Sequence, residues 1–274
     1  MPHEPARDGP PEDHDRPPLA GWPLSTPPLL SIVTVTYNPG PIVLEALRSV
    51  QAQDYPRIEH IVIDGASRDG TPELICQNLR ESDSLVSEPD NGIYDAMNKG
   101  IARARGEVIA LLNADDHYAH PGVASKYMAC LANNTVDAVL GDVAFFRDRP
   151  DNIVRVYDSG RFRPSRIRWG LMPAHPGMIL RKSVYDRVAP YRTDYQIAAD
   201  FEFVARAFGK AGVSYLHMPE VFVKMAVGGV STRGAKARRT INRESVRACR
   251  ENGIYSNLPM ISSKYAFKLL ELVR

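Results

Sequence analysis

The sequence predicts an α/β domain with a mostly parallel central sheet flanked by helices and followed by C-terminal helices. Two observations predict this fold class. Short apolar, β-branched runs alternate with segments of helical periodicity, and polar residues follow several of those runs where a strand would end. The first run, 30–36, is β-branched and nearly continuous, as in a strand buried on both faces. Strands joined through helices make right-handed crossovers and therefore lie parallel.

The predicted elements alternate regularly up to about residue 146. Tyr37 to Gly40 form a turn, and Thr71 and Pro72 open a helix as its cap and first residue. After residue 146 the alternation weakens into an antiparallel strand and a loop rich in Arg and Pro. In chain order the strands are 30–36, 58–63, 85–86, 107–112, 138–140, 155–157 and 213–217, and the helices are 41–53, 71 onward, 93–105, 121–132, 198–208, 234–250 and 262–273.

Length and composition indicate one large domain with appendages. The 274 residues are 44% hydrophobic and 24% charged, and a net charge of +2 is too small to indicate nucleic acid as the ligand. Cys76, Cys130 and Cys249 share no metal or redox spacing, so we expect free thiols and a reducing compartment. No apolar run reaches the roughly 20 residues of a membrane span. We therefore expect a cytoplasmic protein.

Three segments are predicted. Residues 1–28 contain 9 of the 22 prolines, mixed with charged residues, and cannot bury enough apolar area to offset the entropy of ordering. They are predicted to be a disordered tail. Residues 29–232 form the α/β domain, and residues 233–274 form a basic helical extension.

Asn113, Asp115 and Asp116 directly follow a buried strand. Two adjacent carboxylates are costly there unless a cation or hydrogen bonds compensate them. Mg²⁺ or Mn²⁺ takes one or two carboxylates and completes its shell with water and substrate phosphates. The alternative is that Asp116 caps the helix that follows.

Other strand ends contribute to the same edge of the sheet, where ligands of open α/β sheets bind. Asp64 can accept a hydrogen bond from a base or a ribose, or it can be an Asx-turn residue. Thr36, Tyr37 and Asn38 follow the first strand and can pack a nucleobase. The chain has no G-x-G-x-x-G and no G-K-S/T loop, so neither a dinucleotide fold nor a P-loop is supported.

Three ordered motifs carry a family resemblance. Segments 33–38, 63–71 and 87–100 resemble the family 2 glycosyltransferases with the GT-A fold, in particular bacterial enzymes of colanic-acid and other surface-polysaccharide synthesis. The strong match covers about residues 30–142. Weaker matches recur at 198–202 and 228–231. Several motifs in family order are more specific than any one of them.

The resemblance implies a role for each matching residue on the donor side. Asp115 is the metal ligand and Asp116 supports it, because they occupy the place of the family's Asp-Xaa-Asp motif. Asn113 departs from the acidic first position and can hydrogen-bond ribose. Lys99 can instead be a surface lysine of its helix. The implied donor-nucleotide residues are Thr36, Tyr37, Asn38, Asp64, Asp90, Asn98, Lys99 and Asn113.

The resemblance also places a catalytic base at Asp200, at the start of a helix. The alternative is a first-turn carboxylate favoured by the helix dipole. Glu202 ranks second, two residues on. His175 matches a histidine near the acceptor, although a lone histidine is more often structural. Ser231 and Arg233 belong to a glycine-containing loop that can cover the diphosphate, where Arg233 can offset the charge of the leaving group.

These expectations describe an inverting, metal-dependent transferase that moves a sugar from a nucleotide-diphosphate donor, most simply a UDP-sugar, to a lipid-linked or saccharide acceptor of surface polysaccharide or glycolipid synthesis. Two alternatives stand beside it. A sugar nucleotidyltransferase would carry a Gly-rich, basic motif near its first strand, which Tyr37 to Gly40 do not resemble. A non-catalytic nucleotide-sugar-binding scaffold is supported by Asn113.

The C-terminal helix concentrates positive charge. It can be a solvated face, or it can bind the anionic inner face of the plasma membrane, where a lipid-linked acceptor lies. Its basic residues are Lys236, Arg238, Arg239, Arg243, Arg247 and Arg250.

Overall fold

The computed structural model describes residues 27–227 and 234–265. Most of the predicted N-terminal tail lies outside the described residues. So do Ser231 and Arg233 of the predicted diphosphate loop, and residues 266–274, which include most of the predicted last helix.

The first half of the chain alternates strands and helices as predicted, with shifts of a few residues at the ends. A short 3₁₀ turn precedes the first helix. Gly70 holds the cap position of the second helix with φ of +83°, so Thr71 is its first residue and not its cap. The elements are β1 (Leu30–Thr36), α1 (Val43–Gln51), β2 (Ile58–Asp64), α2 (Thr71–Cys76), β3 (Ser84–Ser87), α3 (Ile93–Arg103) and β4 (Val108–Asn113).

The second half contains longer strands than predicted and two short strands that the sequence did not indicate, β5 and β8. The helix predicted at 198–208 begins as α6 and continues as a π-helical turn over Ala205–Lys210. The elements are β5 (Asp116–Tyr118), α4 (Val123–Asn133), β6 (Ala138–Phe146), β7 (Ile153–Tyr157), β8 (Met178–Arg181), α5 (Lys182–Val188), α6 (Ala199–Val204), β9 (Tyr215–Ala226), α7 (Gly234–Glu251) and α8 (Leu258–Ser262).

All nine strands join one sheet in the order β3-β2-β1-β4-β8-β6-β9-β5, with β7 paired to β6. The four strands β3, β2, β1 and β4 are mutually parallel, and so are β6 and β9. In contrast, β8 runs antiparallel to both neighbours, and β5 and β7 are also antiparallel to their partners. The predicted α/β class is confirmed, with the parallel arrangement concentrated in the first half.

The core lies on both faces of the sheet. Val33 and Val35 of β1 belong to one apolar cluster, and Leu30 and Ile32 belong to another, as the alternation of side chains along a strand requires. The first cluster also contains Cys249 of α7 and Ile261 of α8. The predicted C-terminal extension therefore contributes to the core. Within the described residues no helix is both long and apolar enough to cross a membrane.

Candidate active site

The carboxyl ends of the four parallel strands form one edge of the sheet. The register places Thr36 beside Asp64, Asp64 beside Ser87, and Val35 beside Asn113. The polar residues that the sequence predicted at separate strand ends therefore lie along a common edge.

Asp64 is fully buried at this edge and organises the loop that follows β2. Its Oδ2 accepts the Ser67 amide at 2.9 Å and the Ser87 hydroxyl at 2.6 Å, while the Ser67 hydroxyl also donates to Oδ1. Ser67 Oγ in turn accepts the Asn38 amide at 2.7 Å. This geometry is close to the Asx-turn alternative, and a direct contact of Asp64 with a ligand stays a prediction.

The rim of the crevice carries an exposed aromatic ring. Tyr37 is 69% exposed. A Cβ added to Gly65 would lie 2.5 Å from Asp90 Oδ2 and 3.2 Å from Tyr37 Cδ2, so the glycine lets these two side chains approach each other. The side chain of Asn38 accepts the Arg68 amide at 2.8 Å and shapes the neighbouring loop. Tyr37 and Asp90 thus offer a flat apolar face beside an acceptor of hydrogen bonds.

Two predicted donor-side residues of α3 are engaged by protein groups. Asn98 Nδ2 donates to the Tyr191 carbonyl at 2.7 Å, and Asn98 Oδ1 accepts the Tyr191 amide at 2.9 Å. Lys99 Nζ donates to the Pro89 carbonyl at 2.7 Å and lies 3.2 Å from Glu88 Oε1. Asn98 therefore anchors the segment around residue 191, and contact of either residue with a donor stays a prediction.

The acidic segment after β4 separates an exposed carboxylate from a buried one. Asp115 is exposed, whereas Asp116 begins β5 and is 1% exposed. Asp116 Oδ2 accepts Asn113 Nδ2 at 2.8 Å. The predicted alternative, in which Asp116 caps a helix, is wrong, because Asp116 lies in a strand paired with β9.

The electrostatics of this segment suit a cation. Burial and the charge of Asp115 raise the pKa of Asp116 well above its usual value, against the hydrogen bond from Asn113. Among the described residues, neither Asp116 Oδ1 nor Asn113 Oδ1 has a hydrogen-bond partner, although both are buried. Oxygen atoms without partners beside an exposed carboxylate are ligands of the kind that Mg²⁺ or Mn²⁺ takes.

Asp200 lies in the first turn of α6, in a group with His175 and two tyrosines. Burial raises the pKa of Asp200, against the favourable charge of His175 and of Lys264. Burial lowers the pKa of His175, against the charge of Asp200. His175 Nε2 lies 3.0 Å from the hydroxyl of Tyr191, and the pKa of Tyr94 is raised by burial and then by Asp200. A carboxylate of raised basicity therefore sits beside an imidazole that favours its neutral form.

The segment leading to Asp200 is held by a residue that the sequence did not indicate. Glu244 of α7 accepts three consecutive backbone amides, those of Gln196, Ile197 and Ala198, at 2.7, 3.0 and 2.9 Å. The hydroxyl of Tyr94 donates to the Ile197 carbonyl. No sequence pattern indicates this contact, because 46 to 48 residues separate its partners.

Glu202 faces a different environment from Asp200. It is 1% exposed, and both of its oxygens accept from Arg206 at 2.9 Å, while Asn252 lies 3.3 Å from Oε1. Arg206 also donates to the carbonyls of residues 188–190. The geometry gives Glu202 a structural ion pair, and its proposed place at the acceptor stays a prediction.

A second group of possible cation ligands was missed by the sequence analysis. Asp142, Asp158 and His217 present ligand atoms within 4.8 Å of one another. Protein groups already contact them, because His217 Nε2 lies 2.9 Å from Asp142 Oδ1 and the amides of Ser159 and Gly160 donate to Asp142 and Asp158 at 2.8 Å. The three residues span 75 positions of the chain, from Asp142 to His217, so spacing could not reveal them.

Comparison with known proteins identifies the family. Residues 31–189 match the sequence model of Glycosyl transferase family 2. An uncharacterized glycosyltransferase of Mycobacterium tuberculosis is 33% identical over 188 residues, which are 67% of this chain and 70% of that protein.

Two solved structures are similar in fold. The mannosyltransferase PcManGT from Pyrobaculum calidifontis, in complex with GDP-Man and Mn²⁺, has a TM-score of 0.62 at 23% identity and covers 88% of this chain and 70% of its own. The S. aureus protein TarS has a TM-score of 0.58 at 19% identity over 80% of this chain, which spans 40% of the TarS chain. The protein belongs to the family 2 glycosyltransferases and has the GT-A fold.

Proposed function

We propose that the protein is an inverting, metal-dependent transferase that moves a sugar from a UDP-sugar to a hydroxyl acceptor, with Asp200 as the base. One observation carries the proposal. The exposed carboxylate of Asp115 and the unpartnered buried oxygens of Asn113 and Asp116 belong to the same sheet edge as the turn of His175, which contacts β4 and lies beside Asp200.

On the donor side, the exposed ring of Tyr37 packs against the nucleobase and Asp90 accepts from the nucleoside. Asn113 orients Asp116 toward the diphosphate. Asp115 and Asp116 would hold Mg²⁺ or Mn²⁺, which when bound offsets the charge that develops on the departing diphosphate. Ser231 and Arg233 are proposed to lie near that diphosphate.

On the acceptor side, Asp200 removes the proton of the attacking hydroxyl. The acceptor oxygen forms a bond to the anomeric carbon as the bond from that carbon to the diphosphate oxygen breaks, and the proton stays on the carboxylate. Attack from the face opposite the leaving group inverts the anomeric configuration. The raised pKa of Asp200, which is due to burial, makes it a better proton acceptor than an exposed aspartate.

The relatives support a nucleotide-sugar donor, and they differ in the nucleobase of the donor that they bind. The similar structures hold GDP-Man in PcManGT and UDP-GlcNAc in a complex of TarS residues 1–349. The test is isothermal titration of the protein with UDP, GDP and dTDP, each with and without Mn²⁺. We expect metal-dependent binding of UDP that Asp115→Ala abolishes.

The matched control is Asp142→Asn, which removes a carboxylate charge from the other cluster of possible cation ligands. It is expected to leave metal-dependent UDP binding unchanged. Loss of metal-dependent UDP binding in Asp142→Asn but not in Asp115→Ala would place the metal in the cluster of Asp142, Asp158 and His217. Absence of binding by all three nucleotides would refute the donor assignment and favour a different ligand for this fold.

The proposed acceptor is a lipid-linked or saccharide hydroxyl compound of surface polysaccharide or glycolipid synthesis, reached from the cytoplasmic face of the membrane. The basic face of α7 supports this location only in part. Lys236, Arg238 and Arg239 are exposed, but Arg247 is engaged by Asp194 and Glu251. Sedimentation with vesicles of anionic phospholipid tests it, with neutral vesicles as the control.

A further inference from the structure

We infer that a cleft lined by Phe162 and Trp169 binds the non-sugar part of the acceptor, and that this part is an alkyl chain bearing a phosphate group. The inference rests on the proposed function, since it assigns the acceptor side of the same site. The cleft is defined by the segment from Tyr157 to Met172 on one side and by Ser263 on the other.

The cleft has the size and the apolar wall of a small-molecule site. Its volume is about 390 Å³, within the range of such sites. Phe162, Trp169, Leu171 and Met172 line it, and Trp169 is 41% exposed. An indole and aliphatic side chains open to solvent are surface that an alkyl chain stabilises by covering it.

Both walls of the cleft continue along the chain to residues of the Asp200 group, because Met172 precedes His175 by three positions and Ser263 precedes Lys264. The Tyr157 hydroxyl donates to the Met172 carbonyl at 2.6 Å and fixes the wall that continues into His175. On the opposite wall, Ser263 precedes Lys264, which is 8% exposed. A Cβ on Gly170, which lies between the lining residues Trp169 and Leu171, would be 3.0 Å from Lys264 Cδ, so Lys264 packs on the wall of the cleft. Its charge, like that of His175, opposes the rise that burial causes in the pKa of Asp200. A chain seated in the cleft would therefore direct its attached sugar toward the proposed base.

The charge of the cleft selects an anion. Arg161 and Arg166 line it together with Asp158, and Asp158 Oδ2 lies 3.3 Å from Arg161 Nε. Arg166 donates to the neutral carbonyl of Arg161 at 2.8 Å, and no carboxylate in residues 27–227 or 234–265 forms an ion pair with it. A guanidinium group in this state recognises phosphate oxygens. The apolar wall distinguishes a lipid phosphate from free phosphate.

The test uses Trp169 as a reporter. The chain has two tryptophans, Trp22 and Trp169, so Trp22→Phe leaves one fluorophore, in the cleft. This protein is titrated with dodecyl phosphate, dodecyl glucoside and inorganic phosphate, each below any micelle-forming concentration. We expect dodecyl phosphate to shift the Trp169 emission saturably to shorter wavelength, dodecyl glucoside to bind at least tenfold more weakly, and inorganic phosphate to cause no shift.

Two variants test the role of charge, and each replaces an exposed arginine of the segment from Tyr157 to Met172. Arg166→Gln is expected to weaken dodecyl phosphate about tenfold, or about 1.4 kcal/mol, and to leave dodecyl glucoside unchanged. Arg163→Gln is the matched control, because Arg163 is exposed and donates to the carbonyls of Gly160 and Phe162 without lining the cleft. It should bind dodecyl phosphate like the parent.

Three results would overturn the inference: no shift with dodecyl phosphate, equal affinity for the two amphiphiles, or equal weakening by Arg163→Gln and Arg166→Gln. Calorimetric titration of the same preparations with UDP and Mn²⁺ separates this failure from failure of the proposed function. Binding of UDP without an amphiphile response refutes the cleft alone. An amphiphile response without UDP binding refutes the donor assignment and supports the cleft.

Discussion

Replacing Glu244 by alanine is expected to lower the turnover number while leaving donor binding intact. The half-buried Glu244 carboxylate accepts three consecutive amides, at 2.7 to 3.0 Å, from residues 196–198. These residues directly precede α6, and Asp200 is the second residue of that helix. The contact therefore fixes where the helix begins and where the proposed base points.

The size of the effect follows from the three hydrogen bonds. A hydrogen bond to a charged group contributes about 1.5–3 kcal/mol when it is buried. Because Glu244 is half-buried and water can replace it at the released amides, we expect a loss of about 2 kcal/mol in the free energy of unfolding for the whole set. A displacement of about 1 Å at the base would lower kcat about 100-fold. Glu244→Gln keeps one acceptor oxygen, so its effect should be intermediate.

The assay compares kcat, KM for the donor and thermal unfolding of Glu244→Ala and Glu251→Ala. Glu251 is the matched control on the same helix, because its carboxylate binds the side chains of Arg192, Arg247 and Tyr195 and not the backbone before Asp200. Both variants should lose stability. Only Glu244→Ala should lose kcat, with the donor KM nearly unchanged.

Equal kcat values for the two variants, measured where both are fully folded, would refute the positioning role of Glu244. A rise in the donor KM of Glu244→Ala with unchanged kcat would also refute it, since a displaced base does not weaken donor binding.

Three further predictions concern activity, acid stability and packing. Asp200→Asn should lower kcat about 10²- to 10⁴-fold without loss of UDP binding. The kcat of the parent should rise with pH through the raised pKa of Asp200, because the base acts when it is deprotonated. A kcat that does not depend on pH would contradict this role. Burial opposes ionisation of Asp137, but hydrogen bonds from Ser214 and from Arg187 outweigh it and lower the pKa of Asp137. The stabilisation by Asp137 is therefore present above its unfolded-state pKa and is lost as pH falls through its folded-state pKa. In denaturant unfolding, the free energy of unfolding of Asp137→Asn should fall less between neutral and acid pH than that of the parent. A Cβ on Gly100 would lie 2.2 Å from Val33 Cγ1, so Gly100→Ala should destabilise by about 1–3 kcal/mol in thermal unfolding, and an unchanged Tm contradicts the tight packing of α3 on β1.

The first half of the fold was predictable from the sequence because its rules are local. β1 consists of apolar and small hydroxyl residues because it is buried on both faces, and the polar residues after β1, β2 and β4 reach one edge because the strands are parallel. Strands β5 and β8 have three and four residues, too few for a periodic pattern. Their pairing depends on distant partners.

The residues of the candidate site could be singled out from the sequence only by their type and position. Asp115, Asp116 and Asp200 stand out as residue types at strand and helix ends, whereas the buried state of Asp116 depends on its pairing with β9. In the sequence, Glu244 is one acidic residue within a basic helix. Its contact requires the fold to bring α7 onto the segment before α6, which no local pattern specifies.

The sheet also determines how the protein can be recombined with its relatives. The strand that begins at Asp116 pairs with β9, and β9 lies between β5 and β6. A chimaera joined between Tyr118 and Tyr215 would give this strand a foreign neighbour, and the buried carboxylate would be set in a new environment. Swapping the C-terminal half at such a junction to exchange acceptor specificity would therefore change the proposed donor site as well. Modular engineering would have to keep residues 215–226 with the N-terminal half.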